Sequence, residues 1–489
     1  MNELTKKTNN AIKWSAITEF LAKIISPLIN MLLARILAPE AFGVLATITM
    51  VLSFAEVFVE SGFQKFLIQY NFESKEQEHN YMTVAFWSNL AFSGVVWGII
   101  IIFCDSLAGF AGNAGLGFPL AVASVAIPLY GIIGIQNCQL KKRLDFKSLF
   151  FVRIISAFVP LVVTLPLALA GFDYWSLIIG NIAGLVIRSA LLVFLGKFKP
   201  RAYFKFGLLK HMLKVGIWTF LDGIALWATA WIDSLLIAQY MSEYYLGLYK
   251  HSSSTITSLF AIVTSALTPV LFSSLSKLQD NQEEFNKTFL TVQKTLCTFL
   301  LPLSVGVFLY RNFVTDILFG DKWTEAASIV GIMAVTTAVR TIFVSIYSEA
   351  YRAKGKFYLP FFLQIADIAL IIPVCIISVR YGFWPLVYTR AFIKLDLIIP
   401  EIICVWLVCR ISFKDTIKYV LPSIVSTVIM AIACCGLRCL GNGFIWNIIS
   451  IAVCVVVYFS VLFIFKNERE KFLLPIVNKF GLKKKNFNE

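Results

Sequence analysis

Charge is scarce in this chain. Only 15% of its 489 residues are Asp, Glu, Lys or Arg, while 58% are hydrophobic, for a mean hydropathy of +0.79. A soluble fold of this length has no way to cover so much apolar surface with polar groups. Histidine is rarer still. His79, His211 and His251 are the only three, and they are too scattered to form a metal set. The Gly-x-x-x-x-Gly-Lys-Ser/Thr pattern of phosphate-binding loops is absent, which argues against ATP hydrolysis, and so is the His-Glu-x-x-His of zinc hydrolases. No outer loop exceeds about 15 residues, too short for a folded external domain. A membrane polymerase or ligase would need a large external loop bearing arginines. The ten cysteines form no disulfide framework: Cys138, Cys297, Cys375, Cys404 and Cys454 fall within apolar runs. Cys434, Cys435 and Cys439 share one helix and read as small packing residues rather than metal ligands. Met1 to Asn10 lacks the pattern of a cleavable signal.

What is present is a series of apolar runs about 20 residues long, enough to cross a bilayer core. They predict about fourteen spans, near 11–37, 42–62, 81–104, 116–138, 148–170, 173–195, 212–240, 246–273, 288–310, 325–351, 357–380, 383–409, 417–440 and 444–465. The runs are continuous rather than alternating, which favours helices over a β-barrel, so the expected fold class is an all-α polytopic membrane protein. The net charge of +15 is distributed as a topology signal. With the N-terminus placed inside, 30 of the 43 Lys and Arg fall in inner segments and five at outer ones: Arg35, Arg311, Lys322, Arg380 and Arg438. That bias places both termini in the cytoplasm, predicts an even number of spans and leaves no need for a nucleic-acid partner. The inner clusters Lys141-Lys142-Arg143 and Lys483-Lys484-Lys485 would also touch anionic headgroups.

The chain repeats itself. Trp14-Ser15 returns as Trp218-Thr219, Leu33 to Ala38 as Ile237 to Ser242, and Phe42-Gly43-Val44 as Leu246-Gly247-Leu248, all 204 residues later. At an offset of 211, Lys141, Arg143 and Phe146 fall on Arg352, Lys354 and Phe357, and Gly171-Phe172 falls on Gly382-Phe383. Such duplication is a signature of transporters. Six spans separate the copies, so both cross the membrane in the same direction. The expected organisation is a six-helix lobe at 1–196, a basic cytoplasmic linker at 197–211, a second six-helix lobe at 212–410, and two extra helices with a basic tail at 411–489.

The turn Leu33-Ala34-Arg35-Ile36-Leu37-Ala38-Pro39-Glu40-Ala41-Phe42-Gly43 resembles the LARxLxPxxFG turn of polysaccharide exporters. Glu60-Ser61-Gly62-Phe63, the basic loop Lys141 to Lys147 and Leu246-Gly247-Leu248-Tyr249 extend the likeness. The chain resembles Wzx-type oligosaccharide flippases over nearly its whole length, least in the last two helices. That family stands with multidrug exporters and the peptidoglycan lipid flippase in one superfamily. The resemblance implies two lobes and alternating access. It implies a substrate, undecaprenyl-diphosphate-linked oligosaccharide of an O-antigen, capsule or exopolysaccharide pathway, moved across the bacterial cytoplasmic membrane without covalent chemistry. It implies membrane lipids as partners, with polysaccharide polymerase and chain-length machinery downstream. No cofactor is implied beyond a coupling Na⁺ or H⁺.

Charges inside a bilayer are costly and persist where they face a cavity or an opposite charge. Glu19 and Lys23 are spaced i,i+4 on the first span, as are Glu56 and Glu60 on the second. The seventh span carries Asp222 and Asp233, and the eighth Lys250. A diphosphate in a low-dielectric cavity needs cations. Lys23 and Lys250 are the candidates, with Arg35 nearby, Glu19 holding Lys23 in the empty state, and Arg340 serving the second lobe. Asp222, Asp233 and Glu56 are candidates for a coupling ion. Trp14, Trp218, Trp227 and Trp231 offer stacking surfaces for sugars. Plainer roles stand beside these: a self-neutralising Glu19–Lys23 pair, snorkelling by Arg35, Arg153 and Arg188, a headgroup contact for Lys250, interfacial belts of Trp. Arg390, Lys394 and Asp396 share the twelfth expected span and read as partly self-neutralising. Pro27, Pro128, Pro160, Pro302 and Pro373 suggest kinks. The main rival is a cation-coupled multidrug antiporter, which predicts an acidic cavity; an enzyme is the third reading.

Overall fold

The computed structural model describes residues 3–59, 63–356 and 358–465. Long helices dominate. The first group is α1 (Glu3–Ile36), α2 (Pro39–Val59), the short α3 (Phe63–Gln69), α4 (Lys75–Ile102), α5 (Cys104–Phe110), α6 (Gly117–Ala123), α7 (Ala126–Lys142), α8 (Phe146–Leu169) and α9 (Asp173–Gly196). After the linker come α10 (Phe206–Tyr240), α11 (Glu243–Lys277), α12 (Gln282–Leu309), α13 (Arg311–Phe319), α14 (Ala326–Arg340) and α15 (Ile346–Ala353). The chain closes with α16 (Tyr358–Val379), α17 (Phe383–Ile393), α18 (Ile398–Cys409), α19 (Phe413–Leu440) and α20 (Phe444–Leu462). Short polar side chains cap several of them. Ser74 accepts from the Gln77 amide (3.1 Å), Asp145 from that of Ser148 (3.1 Å) and Asn281 from that of Glu284 (3.2 Å).

Among the described residues, twelve stretches are long and apolar enough to cross a bilayer, and the chain is a multi-pass membrane protein. The other two expected spans are helical but differ in kind. The eighth lies in α11, a 35-residue helix whose Ser/Thr-rich stretch, Ser252 to Ser258, precedes a more apolar one. The twelfth is broken: α17 stops at Ile393 and α18 starts at Ile398, with Lys394 and Asp396 in the gap. Pro27, Pro160, Pro302 and Pro373 lie inside helices, whereas Pro128 falls in the first turn of α7, where no amide bond is lost.

By internal packing the chain divides into two units. The first comprises Met1–Ala266, Leu318–Ala326 and Phe361–Ile393. One of its cores joins Val44, Ile48 and Val59 of α2 to Leu120, Ile127 and Ile178. Another joins Phe66, Leu67, Tyr81 and Met82 to Phe198 and Met212. The second unit comprises Leu267–Ile317, Ala327–Pro360 and Lys394–Glu489. There α12, α19 and α20 pack around Tyr310, Met430, Cys434, Cys454 and Tyr458. The buried tyrosines are satisfied: Tyr310 Oη donates to Ser450 Oγ (2.8 Å) and Tyr458 Oη to the Thr298 carbonyl (2.8 Å).

The duplication is visible within the first unit. A Cβ on Gly43 would stand 1.9 Å from the carbonyl oxygen of Glu243, and one on Gly247 would stand 1.8 Å from that of Pro39. Both the glycines and their partners obey the 204-residue offset. The α1–α2 and α10–α11 turns therefore meet reciprocally, each glycine admitting the other turn's backbone, as only a residue without Cβ permits. The second echo also has a structural match: Gly171 and Gly382 hold φ of 85° and 105° in the turns that lead into α9 and α17.

Candidate functional site

Two groups of charges lie inside the first unit. The deeper one is built on α10, α11 and α17. Asp233 and Arg390 form an ion pair at 2.7 Å, with side chains only 7% and 8% exposed. Tyr249 Oη donates to the same carboxylate oxygen at 2.7 Å, and the Ser234 amide donates to the other at 2.6 Å. Arg390 also donates to the Thr229 carbonyl (3.1 Å). Beside them Lys250 donates to the Ala230 carbonyl (2.8 Å), and its ammonium lies 3.5 Å from the Trp231 ring centre, a cation–π geometry. The cluster joins one carboxylate to a guanidinium, with an ammonium alongside, and the Asp233 oxygens accept four hydrogen bonds, the fourth from the Ser234 hydroxyl (3.1 Å).

The second group lines a cavity of about 690 Å³ among α1, α7, α8 and α9. Its polar lining comes in helical stripes. On α9, Asn181, Gly184 and Arg188 follow at three and four residues; on α7, Asn137 and Lys141 are four apart; on α8, Arg153, Ser156 and Pro160 share a face. The α8–α9 contact is close, because Gly180 sits on Thr164 and Gly184 on Pro160. Glu19 of α1 accepts from Arg153 Nη1 across the cavity, and both side chains are nearly half exposed. Trp14, next to the lining residue Ser15, packs its ring 5.0 Å from that of Phe150.

The expected residues are distributed over these surroundings. Glu19 pairs with Arg153 on the facing helix rather than with Lys23 four residues along. Lys23 is half-buried on α1. Arg35 ends α1 beside Gly320 and is exposed. Asp222 and Glu56 are half-buried and flank the contact of Gly223 with Val57 between α10 and α2. Arg340, in the second unit, lies 3.8 Å from Asp396 and donates to the Lys394 carbonyl (3.2 Å), where α14 passes into a π-helical turn, Thr341–Ser345. Arg390, read from the sequence as partly neutralised within its own span, pairs with Asp233. The break after Ile393 puts Lys394 and Asp396 outside α17, and Lys394 donates to Thr337 Oγ1 (3.0 Å). Trp227 spends its indole N–H on the Met50 carbonyl (3.1 Å), and the Trp231 face is taken by Lys250. Glu60, the side chain of Trp218 and Lys483-Lys484-Lys485 lie outside the described residues.

Sequence reasoning gave Arg153 and Arg188 to snorkelling and Lys141 to a headgroup contact, and did not gather the three around one cavity. Their signal was present as polar residues at i, i+3, i+4 and i+7 within apolar spans. It missed the Asp233–Arg390 pair because 157 residues separate the partners.

The chain is 24% identical over 310 residues to the succinoglycan biosynthesis transport protein ExoT of Rhizobium meliloti, covering 63% of this chain and 62% of that one. It is 23% identical over 387 residues to the lipopolysaccharide biosynthesis protein WzxC of Escherichia coli, covering 77% and 76%. Among solved structures, lipid II flippase MurJ in an inward closed conformation shares the fold with a TM-score of 0.76 at 18% identity, over 94% of this chain and 99% of that one. Residues 32–328 match the family described as "Polysaccharide biosynthesis protein". With more than half its length inside that match, the chain belongs to the polysaccharide biosynthesis protein family.

Proposed function

We propose that this chain moves a lipid-linked oligosaccharide from the inner to the outer leaflet of the bacterial cytoplasmic membrane, with both termini inside. The observation that carries the reading is the depth of the charges on α10, α11 and α17 in a member of this family. A helix that only spans a membrane has no use for a buried Asp233–Arg390 pair with a half-buried Lys250 beside it; charges so placed mark a path for a polar cargo. A diphosphate-linked glycan is such a cargo, and its polyprenyl tail can stay in lipid while the head crosses. The family relation supports a polysaccharide precursor as cargo, and on this reading its carrier is undecaprenyl diphosphate bearing one repeat unit. The lobes at 1–196 and 212–410, joined by the linker at 197–211, are the bodies that rock in this cycle, with 411–489 appended. Lys23, Arg35, Lys250 and Arg340 are the cations along the route. The cycle needs no bond-making step and hands its product to polymerase and chain-length machinery outside. A Na⁺ or H⁺ gradient resets it through Glu56 and Asp222, since Asp233 is held by Arg390 and Tyr249. The same neutralisation takes Asp233 from the acidic groups that a multidrug antiporter would offer a cationic drug.

The test is deletion of the gene followed by measurement of lipid-linked oligosaccharide on each leaflet. Intermediates are expected to accumulate on the cytoplasmic side and to clear when the wild-type gene returns. If nothing accumulates and drug sensitivity rises instead, the antiporter reading replaces this one.

A further inference from the structure

The cavity among α1, α7, α8 and α9 lies apart from the Asp233 cluster, and its composition is unusual for the inside of an apolar bundle. Its lining holds three cations, Lys141, Arg153 and Arg188, against one carboxylate, Glu19, and adds the amides of Asn137 and Asn181. Among the described lining residues, cations outnumber carboxylates three to one around about 690 Å³. That volume lies within the roughly 300–1,000 Å³ of ligand pockets. Where low-dielectric walls limit screening, an anion relieves such an excess strongly. Guanidinium groups match phosphate oxygens with paired N–H donors, which ammonium groups do not. Each amide supplies two donors and an acceptor, the complement of sugar hydroxyls. Glu19 and Arg153 hold each other in a half-exposed pair, the kind that costs little to part.

We infer that this cavity is a docking site for the phosphate-and-sugar head of the carrier lipid, with Arg153 and Arg188 on the phosphates, Asn137 and Asn181 on the adjoining sugar, and Glu19 as the counter-charge that the arriving anion displaces. This deepens, and rests on, the translocation reading. Depth supports the placement. Arg153 is seven residues from the start of α8 and Arg188 eight from the end of α9. At the rise of an α-helix each is about 10–12 Å in from the end that bears the basic Lys141-Lys142-Arg143 loop. On the proposed orientation that is the leaflet on which a cytoplasmic glycosyltransferase reaction delivers its product. The site therefore receives cargo before it meets the Asp233 region.

The experiment titrates the purified full-length protein in detergent with undecaprenyl diphosphate, with inorganic pyrophosphate and with phosphatidylglycerol, reading binding by native mass spectrometry and ligand-free integrity by thermal unfolding. Arg153→Ala/Arg188→Ala is expected to lose at least tenfold in affinity for undecaprenyl diphosphate. Glu19→Gln is expected to gain several-fold, and that opposite sign keeps the test decisive if the double variant does not fold. Weaker but parallel losses with pyrophosphate identify the phosphates as the recognised group. Equal binding of phosphatidylglycerol, lost in the same variants, makes the cavity a phospholipid headgroup site and overturns the inference. So does wild-type binding of undecaprenyl diphosphate that neither variant changes, which leaves the translocation reading standing. Cavity-dependent binding in a strain whose deletion traps no intermediate has the reverse meaning: the site stands and the translocation reading falls.

Discussion

Asp233–Arg390 and Glu19–Arg153 have the same chemistry and opposite settings. In the first pair the side chains are 7% and 8% exposed, at 2.7 Å, and further donors from Tyr249 and Ser234 complete the carboxylate. In the second, the side chains are 45% and 46% exposed and the pair faces a cavity. A buried pair resists loss of either partner, because the survivor is left charged in a medium that cannot solvate it. An exposed pair adds little to stability, so its retention in an apolar protein points to a use other than holding the fold. Burial, more than the ion pair itself, decides what each can do: the buried pair keeps its partners as part of the polar path it lines, and the exposed pair can part when an anion arrives.

The comparison breaks most visibly at Asp233. Asp233→Ala strands the Arg390 guanidinium and is expected to cost about 3–5 kcal/mol, read as a lower unfolding midpoint of the purified protein in detergent. Asp233→Leu combined with Arg390→Met is expected to recover most of that loss, since no charge is then buried. A single variant as stable as wild type would remove the structural role assigned to the pair. Tyr249→Phe sharpens the point. It removes one donor from a carboxylate that keeps its guanidinium, and a loss of about 1–2 kcal/mol is expected by the same measurement. The smallest effect belongs to Glu19→Gln, which should unfold within about 1 kcal/mol of wild type. A drop as large as that of Asp233→Ala would show that the cavity pair is structural too.

Much of the architecture was legible in the chain itself. Apolar runs of bilayer length found the helices, because in lipid the backbone must satisfy its own hydrogen bonds. The duplication was readable from Gly43 and Gly247, whose missing side chains turn out to be needed by both copies at once. The break between α17 and α18 was not legible. Apolar residues continue on both sides of Lys394 and Asp396, so a hydropathy window runs across the gap. The site was half legible. Glu19 and Asp233 stood out as intramembrane charges, but their partners on α8 and α17 are fixed by packing between helices distant in sequence. Arg153 and Arg188, taken one at a time, look like snorkelling residues. Only the packing shows that the stripes on α7, α8 and α9 and Glu19 of α1 border one space.

The reciprocal contact of the two turns has a consequence for the origin of the chain. Gly43 meets Glu243 and Gly247 meets Pro39, so residue i touches j while the copy of i touches the copy of j. That is the rule of an isologous interface in a two-fold dimer. A single-copy ancestor bearing this turn would have paired with itself through the same glycine, both subunits inserted in one direction, and gene fusion would then have made the partnership permanent. Away from the turns the two copies differ: Asp233 and Lys250 stand where the first copy carries Ile29 and Ala46. The glycines have no such freedom, because a side chain gained on either copy collides with the other.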